Sequence, residues 1–202
     1  MELWEIDLQS AIAVFPQAGS HRLTCFQKPI FHSEFSSVYA GIDAKSKQQP
    51  NRDLSGLIDI FNQNDIGQLT IIGWDNEDSG KIRATGFLHR NQMFTEMQHH
   101  SIGLIPWKKH WSHKFVNPNK AYEYAHAGLF VLCTSSLQSV SQTLKEHCIT
   151  FEDHKDMVIK LTYLKENPNE LYQKRLKIFE YARSHLIWDR YEKDIIRAYQ
   201  VC

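Results

Sequence analysis

The sequence predicts an α/β fold, a doubly wound parallel sheet with helices on both faces and further helices at the C-terminal end. Three observations carry that expectation. Short apolar runs (SSVYA, LTII, GLI, LFVLC, CITF) alternate along the chain with longer stretches of helical periodicity. The runs are continuously apolar rather than alternating with polar residues, as strands buried on both faces require. Gly41, Gly73, Gly86 and Pro106 close successive strands, and those carboxyl ends are where a sheet of this kind binds ligands.

Residues 1–34 form no domain by themselves: DLQSAIAVF reads as a helix entering a short strand, and PQAGSHRL as a turn. From Phe35 the pattern is regular. SSVYAGID is a strand broken at Gly41. The polar AKSKQQPNRD leads into LSGLIDIFNQ, a helix with Leu54, Leu57, Ile58 and Phe61 on one face. LTIIG (69–73) and KIRATGFL (81–88) are strands separated by the polar turn DNEDSG. RNQMFTEMQHH (90–100) is helical, and SIGLIP (101–106) is a strand stopped by Pro106.

In NPNKAYEYAHAGLFVLCTS (117–135), Pro118 suits a first helical turn. Ala121, Tyr124 and Ala125 repeat at helical spacing, Gly128 is a left-handed cap, and LFVLC is an interior strand. SLQSVSQTLKE is a helix and HCITF a strand. Residues 153–166 form a helix with Met157, Val158, Leu161 and Leu164 on one face. Pro168 starts another, and the end of the chain is amphipathic through Trp188, Tyr191, Ile195 and Tyr199.

Composition bounds the function. The 202 residues suffice for one full domain. Lys and Arg number 23 against 23 Asp and Glu, so no global basic field points to nucleic acid. The four cysteines lack CxxC spacing, and Cys133 lies inside an apolar strand, which favours a reduced, cytoplasmic setting over a disulfide framework. No membrane-spanning run and no signal peptide is legible, and neither GxGxxG nor GxxxxGK[ST] occurs.

Four segments converge if the sheet forms as expected. Lys45, Lys47 and Arg52 precede a helix, either as an anion site or as a solvated loop. Gly73 would let a ligand approach the backbone. Gly86 and the main chain of Phe87 and Leu88 would meet a flat base. In the fourth segment Asn119 and the helix start would face phosphate and Glu123 would take sugar hydroxyls, unless Lys120 and Glu123 are a plain surface pair. His99–His100 and His110–His113 lack the partners of a zinc site, and no thiol sits where a nucleophile would. KKHWSHK (108–114) is basic and aromatic, fit for a site loop or a solvated face.

In order, VYAG (38–41), RDLSGLIDIF (52–61), LTIIG, TGFL (85–88), GLIP (103–106) and PNKAYEYAHAGLFVL (118–132) resemble the donor-binding half of family 4 retaining glycosyltransferases. The resemblance covers roughly residues 35–202, and WDRYEKDIIRAY resembles the family's terminal helix. It implies one Rossmann-like half of a GT-B architecture in residues 35–185, with residues 186–202 packing back toward the other half. It casts Arg52 as the donor-diphosphate residue, Glu123 as the ribose-binding glutamate and Lys120 as its companion, these last two the catalytic candidates. The first of the family's paired glutamates falls at Phe115.

Residues 1–34 then read as a remnant of the acceptor-side domain or a linker, and the chain as a truncated enzyme, a split-gene product or a fragment. The resemblance implies a nucleotide sugar as ligand, with no cofactor and no metal. It further implies an acceptor-domain protein or a second copy docked through the C-terminal helix, no nucleic acid, and at most peripheral membrane contact at the inner face.

Overall fold

The computed structural model describes residues 27–41, 52, 54–75, 78–187, 190–193 and 196–197. Six parallel strands form one sheet: β1 (Ser36–Ala40), β2 (Gln68–Ile72), β3 (Ile82–Ala84), β4 (Ile102–Ile105), β5 (Phe130–Thr134) and β6 (Cys148–Phe151), in the order β3-β2-β1-β4-β5-β6. The chain builds outward from β1 to β3, crosses back to β4, and builds outward on the other side. The order therefore reverses between β1 and β4, and a crevice opens beyond their carboxyl ends.

The helices are α1 (Leu57–Gln63), α2 (Arg90–Gln98), α3 (Asn119–His126), α4 (Gln138–Leu144), α5 (His154–Glu166) and α6 (Pro168–His185). Strands β4 and β5 are buried along their whole length, as their unbroken apolar runs require. The elements expected between Phe35 and His185 are present, with adjusted bounds. Helix α1 begins only after Gly56, so Leu54 reaches the core from a turn. Strand β3 is shorter than KIRATGFL because the chain leaves the sheet at Gly86, where φ is +65°. Pro118 caps α3 from extended backbone and is not its first helical residue. Of the C-terminal face, Trp188, Ile195 and Tyr199 lie outside the described residues, as do residues 1–26 of the expected remnant.

One packing contact sets α3 against the sheet. A side chain at Gly103 of β4 would overlap the Tyr124 ring, so the bare backbone there lets the helix approach. The Tyr124 hydroxyl then accepts a hydrogen bond from the Ala40 amide at 2.7 Å, at the last residue of β1. Tyr124 is wholly buried, and burial pushes its phenol well up, so it stays neutral. At the other end of α3, Gly128 turns the chain at φ +70° and packs on Pro29. The buried Arg175 of α6 donates to the Gly128 carbonyl at 3.0 Å and to that of Ile30 at 2.9 Å.

Gly103→Ala is expected to lower unfolding free energy by about 1–3 kcal/mol through overpacking against Tyr124. Urea denaturation followed by far-UV circular dichroism measures this, and an unchanged midpoint would show that α3 is not held there.

Candidate functional site

Beyond the carboxyl ends of β1, β2 and β4 lies a cleft of about 440 Å³. Its walls include Ala40, Gly41, Arg52, Ile72, Gly73, Phe87, Leu88, Trp107, Asn117, Pro118, Asn119, Lys120 and Glu123. Of the residues expected from the sequence, Gly41, Arg52, Gly73, Phe87, Leu88, Asn119, Lys120 and Glu123 thus meet in one place. Gly86 stands one bond behind the wall: its carbonyl accepts from the Gly73 amide at 2.8 Å. Lys45 and Lys47 lie outside the described residues.

Lys120 and Glu123 stand on the first turns of α3 and do not form a surface pair. Among the described residues neither makes a hydrogen bond or ion pair with a protein group. Burial, with Arg52 adding to it and Glu123 opposing, holds the Lys120 amine down at about 7. Burial also raises the Glu123 carboxyl, against the pull of Arg90 and Lys120. Both groups open on the cleft, so each has an unused hydrogen-bonding capacity facing it.

Two residues that pattern reading missed shape the floor. The Lys120 Nζ lies 3.9 Å from the centroid of the Tyr39 ring and 5.1 Å from that of Trp107. Arg52 faces Trp107 at 5.7 Å. The only local signal was Trp107 directly after Pro106 at a strand end; Tyr39 read simply as an apolar strand residue.

The basic and aromatic stretch 108–114 does not line the cleft, although Trp107 just before it does; Trp111 (73% exposed) within it and Phe115 (62%) just after it sit on a 3-10 turn, Trp111–Phe115, facing solvent. Phe115 does not line the cleft, so no carboxylate stands beside Glu123 from that side. His113 is buried against Ser136. His100 is buried between Ser36 and Glu96 at 2.9 and 3.0 Å, beside a cavity of about 670 Å³ at the amino ends of β1 and β2. Of the charged residues lining that cavity, Arg83 and Lys165 are paired with Glu96 and Asp65, and Glu34 is exposed. Among the described residues no three His, Cys, Asp or Glu gather as metal ligands. Burial pushes the Cys133 thiol far up and Cys148 to about 12, which leaves neither as a nucleophile.

The family model described as glycosyl transferase-like matches residues 49–192. Comparison with curated proteins gives no match. Among solved structures, sucrose-phosphate synthase from Thermosynechococcus elongatus aligns with a TM-score of 0.63 at 13% identity, over 93% of this chain and 49% of that one. An alpha-glucosyltransferase in complex with UDP and a 13-mer DNA containing an HMU base gives 0.60 at 9% identity, over 95% and 59%. The catalytic domain of cholesterol-alpha-glucosyltransferase from Helicobacter pylori gives 0.53 at 16%, over 76% and 99%. The chain spans about half the length of the first two. The fold common to these alignments is the Rossmann-like half of the GT-B glycosyltransferase architecture.

Because unfolded Lys120 keeps its proton to near the ordinary lysine value of 10.5 while the folded amine holds it only to about 7, the unfolded chain binds more protons between those values. This residue therefore adds stability as pH rises through that window. Lys120→Met is expected to flatten the rise by roughly 1–3 kcal/mol, allowing for the share of the side chain open to the cleft. Urea midpoints at pH 6.5 and 9.5 compare the two proteins.

Proposed function

The chain belongs to the glycosyl transferase-like family, and we propose that its cleft binds the nucleotide-diphosphate part of a sugar donor. The protein would then act as the donor-binding half of a glycosyltransferase that passes the sugar to a glycan, lipid or small-molecule acceptor. The observation that carries this reading is that a lysine and a glutamate, one helical turn apart and neither hydrogen-bonded nor ion-paired to a described protein group, face the same cleft at the reversal of strand order.

Each residue then has a role. Lys120 and Arg52 meet the diphosphate, together with the free amides at the start of α3 beside Asn119. On bond cleavage these fixed cations stabilise the charge that develops on the leaving diphosphate, so the reading calls for no metal and no cofactor beyond the donor. Glu123 is an acceptor for donor sugar or ribose hydroxyls. The backbone at Phe87 and Leu88, next to the Gly73–Gly86 contact, offers a flat wall to the base. The UDP in the alpha-glucosyltransferase complex is a ligand of the same class.

Phe115 favours a second reading. Where the resemblance calls for a first carboxylate this chain has an exposed ring outside the cleft, which suits a module that binds the donor and transfers only with an acceptor-domain partner. Such a partner, or a second copy, would dock through the C-terminal helix, without nucleic acid. We place the protein in the cytoplasm, with at most peripheral contact at the inner face of a membrane; among the described residues no helix is long and apolar enough to cross one.

Isothermal titration of the folded chain with UDP, GDP and ADP and their sugar conjugates is expected to find one class that binds. Glu123→Ala should weaken the sugar conjugate at least tenfold, about 1.4 kcal/mol. No binding by any member of the panel overturns the reading. Binding with transfer only after addition of an acceptor-domain partner selects the second form of it.

A further inference from the structure

Lys120 occupies a box with unusual walls. Tyr39 and Trp107 present their rings to its Nζ, and the indole N–H donates to the Tyr39 hydroxyl at 3.2 Å, locking the two rings together. Both are buried, at 0% and 2% exposure. Tyr39 is fixed within β1 opposite Ile71, and Trp107 packs on His113, which is itself held by Ser136 at 2.6 Å. Gly41 closes another side, since any β-carbon there would overlap Nζ and the Tyr39 hydroxyl. The charges acting on the amine are Arg52 across Trp107 and Glu123 on its own helix, with Arg90 acting on Glu123 in turn.

Two aromatic faces attract an ammonium by about 0.5–2 kcal/mol, but they do not replace the hydrogen bonds of its hydration shell. Among the described residues no carboxylate pairs with Nζ and no oxygen accepts a hydrogen bond from it. The missing counter-charge must come from whatever enters the cleft.

We propose that Tyr39 and Trp107 are positioning residues that keep Lys120 short of counter-charge, so that a nucleoside diphosphate enters the cleft together with a proton. This rests on the donor-binding reading above and adds a proton to its stoichiometry. In the free protein the amine sheds its proton near neutrality. A bound diphosphate restores the charged form, so binding just above neutral pH draws a proton from solvent. Affinity then falls as pH rises from neutral, until the liganded amine itself titrates. A phosphate group's own second ionisation lies near 6 and contributes little at pH 8.

Calorimetric titration of the full chain with UDP at pH 8, in buffers of differing ionisation enthalpy, counts the protons taken up. The wild type is expected to take up most of one proton per UDP, and Lys120→Met close to none. Tyr39→Phe keeps the ring and should keep most of the uptake; Tyr39→Ser, which lets water solvate Nζ, should lose most of it. UDP binding without proton uptake by the wild type overturns this proposal and leaves the donor reading standing. Absence of UDP binding overturns both. The box is read separately, without ligand, from the 13C resonance of Lys120 Cε: a titration midpoint at the ordinary lysine value would overturn the positioning role whatever UDP does.

Discussion

The contact of Tyr124 with β4 and β1 is the constraint on which the candidate site depends. The ring fits only because Gly103 has no side chain, and its hydroxyl closes on the amide of Ala40. A buried backbone N–H at the end of a strand has lost its sheet partner and costs free energy unless another group accepts from it. Tyr124 meets that need and, in doing so, fixes the distance between α3 and the end of β1. Lys120 precedes Tyr124 by one helical turn on the same face and Glu123 is its neighbour in the chain, so their reach into the cleft follows from that packing contact.

The far end of α3 is held by a different kind of interaction. Arg175 is almost fully buried, donates to the carbonyls of Gly128 and Ile30, and has no buried carboxylate among its hydrogen-bond acceptors. Burial holds even this guanidinium down to about 10, still charged at neutral pH. It ties α6, the turn after α3 and the segment leading into β1 into one unit. Arg175 spends its charge on carbonyls of the protein, whereas Lys120 and Glu123 make no hydrogen bond or ion pair with a protein group among the described residues. That difference separates the histidines, all of whose buried examples are engaged with protein groups, from Lys120 and Glu123.

How much of this was legible follows from the range of each interaction. Strand runs and helical periodicities are local, and they placed the sheet and the carboxyl-end glycines. The cap at Gly128 and the pairing of Lys120 with Glu123 on one turn were legible for the same reason. Trp107 and Tyr39 were not, because the bond between them spans 68 residues and depends on β4 lying beside β1. In a single sequence a buried tyrosine in an apolar run looks like core and nothing else. The alternative that Lys120 and Glu123 are a surface pair stayed open in the sequence for a related reason: spacing shows that two charges are neighbours, not whether water reaches them. Phe115 was legible as a departure from the resemblance, yet only the structure shows its ring turned to solvent.

The electrostatics of the cleft favour a ligand carrying both anionic and hydroxyl groups over one carrying either alone. The amine and the carboxyl each favour the other's charged form, yet burial outweighs this and shifts both toward neutrality. A diphosphate recovers the charged form of Lys120 with Arg52 close by, and a hydroxyl donates to Glu123 without requiring it to change charge. A purely anionic ligand would leave the Glu123 carboxyl facing like charge, and a neutral sugar would leave Lys120 and Arg52 uncompensated. The two ends of a nucleotide sugar remove both costs at once, which is why the pair of residues, rather than either alone, points to that class of ligand.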